Sequence, residues 1–285
     1  MLKFGILGAG FGIYGYLPAV HKLGYKILLL ERYRETLNKR AELIEYVSHV
    51  NFYEKEEDLI AESDCLIFAR TPQLQYHFIL QNIDSILNKR HVFLEKPLTD
   101  NSEHSNKLLK LFTEYRLNFS IGYLFKYTKW FREISNVLSK SNVFQINWQI
   151  PLVDSGWKNS SFHGGGPIRF YGIHFFTLLF DLGIDASAIR VEANTSSFKI
   201  DTLGNPKFEI RGKLVETDPS FNVTELKTGD PLFSESTPLG RRPISGYSDP
   251  RIPIIVEYLE NELSAPTPIE KTILFEKQID EILNR

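Results

Sequence analysis

The chain has 285 residues, a net charge of -2, 42% hydrophobic and 24% charged residues, and one cysteine, Cys65. This balance is that of an ordinary globular protein; it excludes the strongly basic make-up of a nucleic-acid binder and, with a lone cysteine, a disulfide scaffold. No apolar run reaches the roughly 20 residues that span a bilayer, and the glycine-broken N-terminus is no signal peptide, so a two-domain cytoplasmic protein is expected, with no nucleic-acid, membrane or metal partner.

KFGILG (3–8) is a short apolar run ending in glycine and predicts a buried parallel strand. Glycines follow at Gly8, Gly10, Gly12 and Gly15. The G-x-G-x-x-G spacing is met by Gly10, Gly12 and Gly15; a frame from Gly8 fails at Ile13. Because the strand ends at Gly8, Gly8 and Gly10 are read as the tight turn. Such a turn opens a helix whose first N–H groups suit a pyrophosphate, and a strand before it and a helix after it are the context the fingerprint needs. The next strand, YKILLLE (25–31), ends in Glu31, about 20 residues past the turn, where a carboxylate accepts hydrogen bonds from an adenosine ribose. Arg32 beside it suits adenine stacking or a 2′-phosphate.

Helices are expected at AELIEYV, EEDLIAES, LQYHFILQNIDSILN and SNKLLKLFTEYR, and strands at DCLIFAR, RHVFLE and NFSIGY. The alternation predicts an α/β domain, a Rossmann-type doubly wound parallel sheet over residues 1–121. Ligands bind at the carboxyl ends of such strands, where the glycine turn, RTPQ (70–73) and EKP (95–97) fall. Residues 122–285 read as a substrate-binding and oligomerisation domain of α+β type. NVFQINWQI, IRVEANTSSFKI, KFEIRGKLVE and SFNVTEL predict an open, mostly antiparallel sheet. RIPIIVEYLENEL and IEKTILFEKQIDEILNR predict amphipathic helices, and TPLGRRPISGYSDPR a loop. GGGPIRFYGIHFFTLLFDLG (164–183) sets His174 in an apolar run. Taken alone, such a histidine is a core residue.

The pieces GILGAGFGIYGYLPAV, ARTPQ, KRHVFLEKPLTDN, FSIGYLFKY and GWKNSSFHGGGPIRFYGIHFFTLL, in this order over residues 3–185, resemble the glucose–fructose oxidoreductase and inositol dehydrogenase family, Gfo/Idh/MocA. The resemblance implies a Rossmann domain joined to an open-sheet domain. It also implies hydride transfer between NAD or NADP and a sugar-like alcohol or ketone, and a homodimer or homotetramer built through the second sheet. By position, Lys96 matches the family's catalytic lysine, Pro97 a proline often preceded by a cis peptide bond, and His174 the catalytic histidine. Phe170 stands where the family has Asp, and Lys126 where arginine is frequent; Gln75 or His77 falls near a family histidine.

The cofactor set is then Gly8, Gly10, Phe11, Gly12, Glu31, Arg32, Thr71, Pro72, Glu95, Lys96, Pro97 and Lys126. Glu31 favours NAD, and Arg32 leaves NADP open. The substrate set is Tyr123, Lys126, Trp157, Lys158, Arg169, Phe170, Tyr171 and His174, aromatic faces with basic groups that suit a nucleotide-linked or carboxylated sugar. Losing the Asp leaves two readings. One is an enzyme working with Lys96 and His174, aided by Tyr123 or Tyr171. The other is a cofactor-dependent sensor without chemistry.

Overall fold

The computed structural model describes residues 1–139, 142–152, 156, 158, 165–240, 244 and 246–284. Short strands alternate with helices from the start: β1 (Lys3–Leu7), α1 (Leu17–Lys22), β2 (Lys26–Leu30), α2 (Arg34–Asn38), β3 (Val50–Tyr53), α3 (Glu56–Glu62), β4 (Cys65–Phe68), α4 (Pro72–Gln81), α5 (Ile83–Ile86), β5 (His91–Leu94), α6 (Ser102–Glu114) and β6 (Phe119–Ile121). All the pairings among β1–β6 are parallel, in the order β3-β2-β1-β4-β5-β6, so the sheet is doubly wound with its switch point between β1 and β4. The central strands are buried throughout, which is why CLIF and HVFL read as continuous apolar runs.

The later elements are α7 (Lys129–Val137), β7 (Val143–Pro151), α8 (Ile173–Asp181), β8 (Ile189–Ala193), β9 (Ser197–Thr202), β10 (Lys207–Val215), β11 (Ser220–Glu225), β12 (Pro231–Glu235), α9 (Ile252–Ser264) and α10 (Ile269–Leu283). The second sheet runs β12-β11-β7-β10-β9-β8; β7 and β10 are parallel and every other pair antiparallel. Its strands alternate. Phe144, Ile146, Trp148 and Ile150 of β7 face a core shared with Phe198, Phe208, Ile210, Phe221 and Phe175 of α8, while Gln145, Asn147 and Gln149 point the other way, half-buried or exposed. Gly212 lies opposite Phe198, whose ring fills the place of a Cβ.

The chain divides into two compact units, Met1–Gly122 with Pro243–Thr272, and Tyr123–Arg242 with Ile273–Arg285. This differs from the contiguous division at residue 121. Helix α9 buries Ile252, Ile255, Tyr258 and Leu259, and Tyr258 meets Phe93 of β5 edge to face at 5.7 Å. Glu262 on the same helix accepts a hydrogen bond from Ser120 Oγ (2.7 Å) in β6. The amphipathic stripe read from sequence is real, but its partner is the parallel sheet.

Four local expectations change. AELIEYV forms 3-10 turns over Ile44–His49, because only Leu43 and Tyr46, three apart, are buried. The helix from Pro72 breaks at Asn82, whose side-chain amide donates to the Phe78 carbonyl (2.9 Å). IRVEANTSSFKI is a hairpin of two strands, turned by Asn194 accepting from the Ser196 and Ser197 N–H groups (both 2.9 Å). Strands β3 and β12 are additional to those read from sequence.

Ser120 gives its only proton to Glu262, so it accepts from His91 Nε2 at 2.8 Å. Burial lowers the His91 pKa to about 4, against the opposing charge of Glu262. A histidine with a depressed folded pKa binds its proton more readily unfolded. Stability is therefore full above about 6.5 and is lost as pH falls from there towards 4. The loss is on the order of 3 kcal/mol by pH 4. Urea unfolding at pH 7, 5.5 and 4 is expected to show it, and His91→Gln to flatten that part of the profile; an equally steep variant would assign the loss elsewhere.

Candidate functional site

In the first unit the glycine turn follows β1 directly. Gly8 has φ +147°, and a Cβ there would lie 2.1 Å from the Ala69 carbonyl oxygen. Gly10 has φ +60°, and a Cβ there meets nothing within 4 Å among the described residues. A Cβ on Gly12 would press on Ala69 and Ile6 at 3.1 and 3.2 Å. The turn thus requires glycine at 8 and leaves open space over Gly10, an arrangement that fits a dinucleotide's pyrophosphate at the start of the helix. A π-helical turn, Gly12–Tyr16, runs into α1. Gly15 answers to packing: a Cβ there would strike the Phe11 ring at 2.6 Å and Ile255 of α9 at 2.8 Å.

Tyr16, one turn past Gly12, donates its hydroxyl to Glu95 (2.6 Å) at the carboxyl end of β5. Packing around the Glu95 carboxyl raises its pKa, opposed by the Tyr16 bond and by the charges of Lys96 and Arg251. Lys96 follows, half-buried, joined to Pro97 by a cis peptide bond. Gln75, buried in α4, donates to the Glu95 carbonyl (3.1 Å) and the Leu98 carbonyl (2.9 Å), clamping both sides of this turn. His77, the other candidate near that position, packs against Tyr76 and His104 instead. Arg251 lies on the Phe11 ring (4.4 Å) and is held by Asp249.

At the end of β2 the carboxylate of Glu31 is bound by Arg34 through two hydrogen bonds, which lower its pKa. Arg32 pairs with Glu56, which also receives Arg70 (2.6 Å). Thr71 precedes α4 and Pro72 opens it. The structure therefore brings Gly8, Gly10, Phe11, Gly12, Thr71, Pro72, Glu95, Lys96 and Pro97 to the carboxyl ends of β1, β4 and β5, with Glu31 and Arg32 at that of β2. Lys126 belongs to the second unit, its ammonium 4.8 Å from the Tyr127 ring.

In the second unit, PIRFYGIHFF (167–176) does not form one α-helix. Pro167–Gly172 is a π-helical turn, and α8 begins at Ile173 with every residue to Phe180 buried. His174 is 5% exposed, stacks on Phe125 (4.1 Å, 9°) and meets Tyr123 edge to face (6.0 Å). Phe170 packs edge-on to Tyr171 (4.7 Å) with the Lys158 ammonium over it (5.4 Å). Tyr171 is buried against Trp148, and burial raises its pKa to about 12. Trp157 lies outside the described residues.

Sequence reasoning missed Glu276. The Tyr123 hydroxyl donates to it (2.5 Å), and Arg169 and Asp280 act on it electrostatically. Burial raises the Glu276 pKa to about 7, with Asp280 adding to the rise and Tyr123 and Arg169 opposing it. Thr272, Glu276 and Asp280 are spaced by four along α10 and are all buried, a polar stripe that an amphipathic pattern assigns to solvent. The group combines a phenol, an imidazole, a guanidinium and two carboxyls, the means to exchange a proton near neutral pH. Among the described residues no cluster of metal-ligating side chains occurs, and no helix is long and apolar enough to cross a membrane.

Residues 2–123 match the GFO_IDH_MocA family, described as an oxidoreductase family with an NAD-binding Rossmann fold. No curated protein sequence matches the chain. Among solved structures, the WlbA (WbpB) dehydrogenase from Thermus thermophilus, in complex with NAD and UDP-GlcNAcA, is 15% identical, over 98% of this chain and 94% of that one, with a TM-score of 0.69. The dehydrogenase MviM from Clostridium difficile is 15% identical over 99% of both chains, TM-score 0.66. The transcriptional regulator Gal80p from Kluyveromyces lactis is 10% identical over 99% of this chain and 89% of that one, TM-score 0.69. At such identities these likenesses are of fold. Over residues 2–123 the chain is similar to the Gfo/Idh/MocA oxidoreductase family, and its six-stranded parallel sheet has the form of that family's NAD-binding Rossmann fold.

Proposed function

We propose that the protein is an NAD-dependent dehydrogenase or reductase acting on a sugar-like alcohol or ketone. The observation that carries the reading is the end of β5, where Tyr16, from the helix that follows the glycine turn, and Gln75 fix Glu95 and the turn bearing Lys96; only β4 separates β5 from the strand that leads into the glycine turn. Gly8, Gly10, Phe11 and Gly12, with Glu31, would hold NAD, which would supply the hydride acceptor or donor. Lys96 polarises the substrate oxygen, and His174 exchanges its proton, aided by Tyr123. Arg169, Lys158 and Lys126 favour an anionic substrate, a nucleotide-linked or carboxylated sugar. UDP-GlcNAcA, bound in the Thermus WlbA structure, is the first compound to try. The engagement of Glu31 by Arg34 and of Arg32 by Glu56 supports NAD over NADP, because neither arginine is left to a 2′-phosphate without breaking an ion pair.

A second reading, a sensor that binds NAD without turnover, is favoured by Phe170 at the family's Asp position and supported by the likeness in fold to a transcriptional regulator, Gal80p. The open face of the second sheet, with Lys199, Arg211 and Lys213 beside Asp201 and Glu209, is the surface proposed for self-association.

Calorimetry with NAD⁺ tests the cofactor half. Gly10→Ala adds a methyl into open space at a positive φ, costing about 1–2 kcal/mol of stability. It is expected to fold yet bind NAD⁺ at least about tenfold more weakly, 1.4 kcal/mol. Unchanged affinity would move the pyrophosphate off the turn.

NADH formation or consumption over a panel of UDP-sugars, sugar acids and cyclitols tests the chemistry. Turnover is expected, with Lys96→Ala and His174→Ala each lowering it by roughly 10²–10⁴-fold, His174→Ala at little cost in NAD⁺ affinity. NAD⁺ binding with no turnover anywhere on the panel would select the sensor. A His174→Ala protein that keeps its turnover and loses thermal stability would return His174 to the core.

A further inference from the structure

Position 170 holds a phenylalanine, so the glycine-led motif brings no carboxylate to His174. A carboxylate reaches the same place from elsewhere in the second unit. Tyr123 touches both groups: its ring meets His174 edge to face at 6.0 Å, and its hydroxyl donates to Glu276 Oε1 at 2.5 Å. Glu276 is 4% exposed and lies on α10, more than 100 residues past the motif. We propose that Glu276, acting through Tyr123, is the carboxylate that the motif lacks: a positioning residue that anchors Tyr123 against His174 and balances the charge His174 gains with the substrate's proton.

This rests on the dehydrogenase reading. In alcohol oxidation NAD would take up the substrate's hydride, and His174 accepts the hydroxyl proton and becomes cationic. A carboxylate hydrogen-bonded to the tyrosine that His174 meets stabilises that cation roughly tenfold where water is excluded. Among the described residues, the charged and titratable groups acting on Glu276 are Tyr123 from the start of the unit, Arg169 from the π-helical turn and Asp280 from its own helix; His174 on α8 meets the Tyr123 ring edge to face. Because burial raises the Glu276 pKa to about 7, the carboxylate prevails only above neutrality. The site therefore holds its charge at a cost in stability, since a raised carboxyl pKa lowers stability as pH climbs from the unfolded value through 7. A residue kept for packing alone has no use for that charge.

The test uses Glu276→Gln, Tyr123→Phe and their double variant, with NAD⁺ and whichever panel sugar the wild-type protein oxidises. Both single variants are expected to lower kcat about tenfold or more, with KM and NAD⁺ affinity within threefold. The acid limb of the kcat–pH profile is expected to move to lower pH by roughly one unit as His174 loses its counter-charge. The double variant is expected to be no slower than the slower single one, as for two parts of one link. Glu276→Gln should melt no lower than wild type at pH 8, and adding Phe170→Asp to it should restore part of kcat. An unmoved profile with kcat intact overturns the proposal, as does a kcat loss that tracks a lowered melting temperature while Tyr123→Phe stays active. Absence of turnover by the wild-type protein removes the dehydrogenase reading, and this proposal with it; turnover with unaffected variants removes the proposal alone.

Discussion

The close approach of Gly8 to the Ala69 carbonyl governs the first unit. No side chain fits between β1's exit and β4's exit, where a Cβ would lie 2.1 Å from the oxygen. The backbone must therefore turn sharply and start its helix there, and that helix carries Tyr16 to the end of β5. Tyr16 holds Glu95, and Glu95 precedes the lysine. One forbidden methyl thus links the glycine turn to the residue given the polarising role. Gly122 closes the arrangement from the next strand: a Cβ there would meet Glu95 at 3.0 Å and the Tyr16 hydroxyl at 3.1 Å.

The second unit is organised by the opposite means. Its sheet and α8 interlock through aromatic rings, with Trp148, Phe175 and Phe221 in mutual contact, a packing that tolerates no loose polar atom cheaply. At one margin of that core the chain nevertheless buries Glu276 and Asp280. Buried acids are costly unless paired, and the Tyr123 hydroxyl and Arg169 offset only part of that cost. Rigid aromatic surroundings and a strained charge together make a group that responds to pH while its neighbours stay still.

Much of this was legible in the residues. Continuous apolar runs marked the parallel strands, alternation marked the second sheet, and the spacing of glycines with EKP located the cofactor end. What stayed hidden has physical reasons. Gln75 and Tyr16 look like ordinary helix residues, and only the fold brings them to Glu95. Glu276 sits in a helix whose acidic stripe follows the same four-residue spacing as a solvent face, so periodicity alone assigns it outward. The helical turn at Pro167–Gly172 escaped because its wider winding leaves no mark in a pattern built on 3.6 residues. Helix α9 was read as a helix, yet nothing in its amphipathic stripe says which sheet it covers.

That last feature has a bearing on how the protein is made. Residues 123–242 are an insertion within the first unit, whose final helix comes from 243–272. Phe93 and Ser120 gain their partners, Tyr258 and Glu262, only when that late segment arrives. On a ribosome, where N-terminal domains fold first, the parallel sheet must wait with one flank bare through the synthesis of the whole second sheet. The dinucleotide-binding half, first in sequence, is thus among the last parts to be completed, and a chain cut short before α9 lacks a wall of the unit it had already begun.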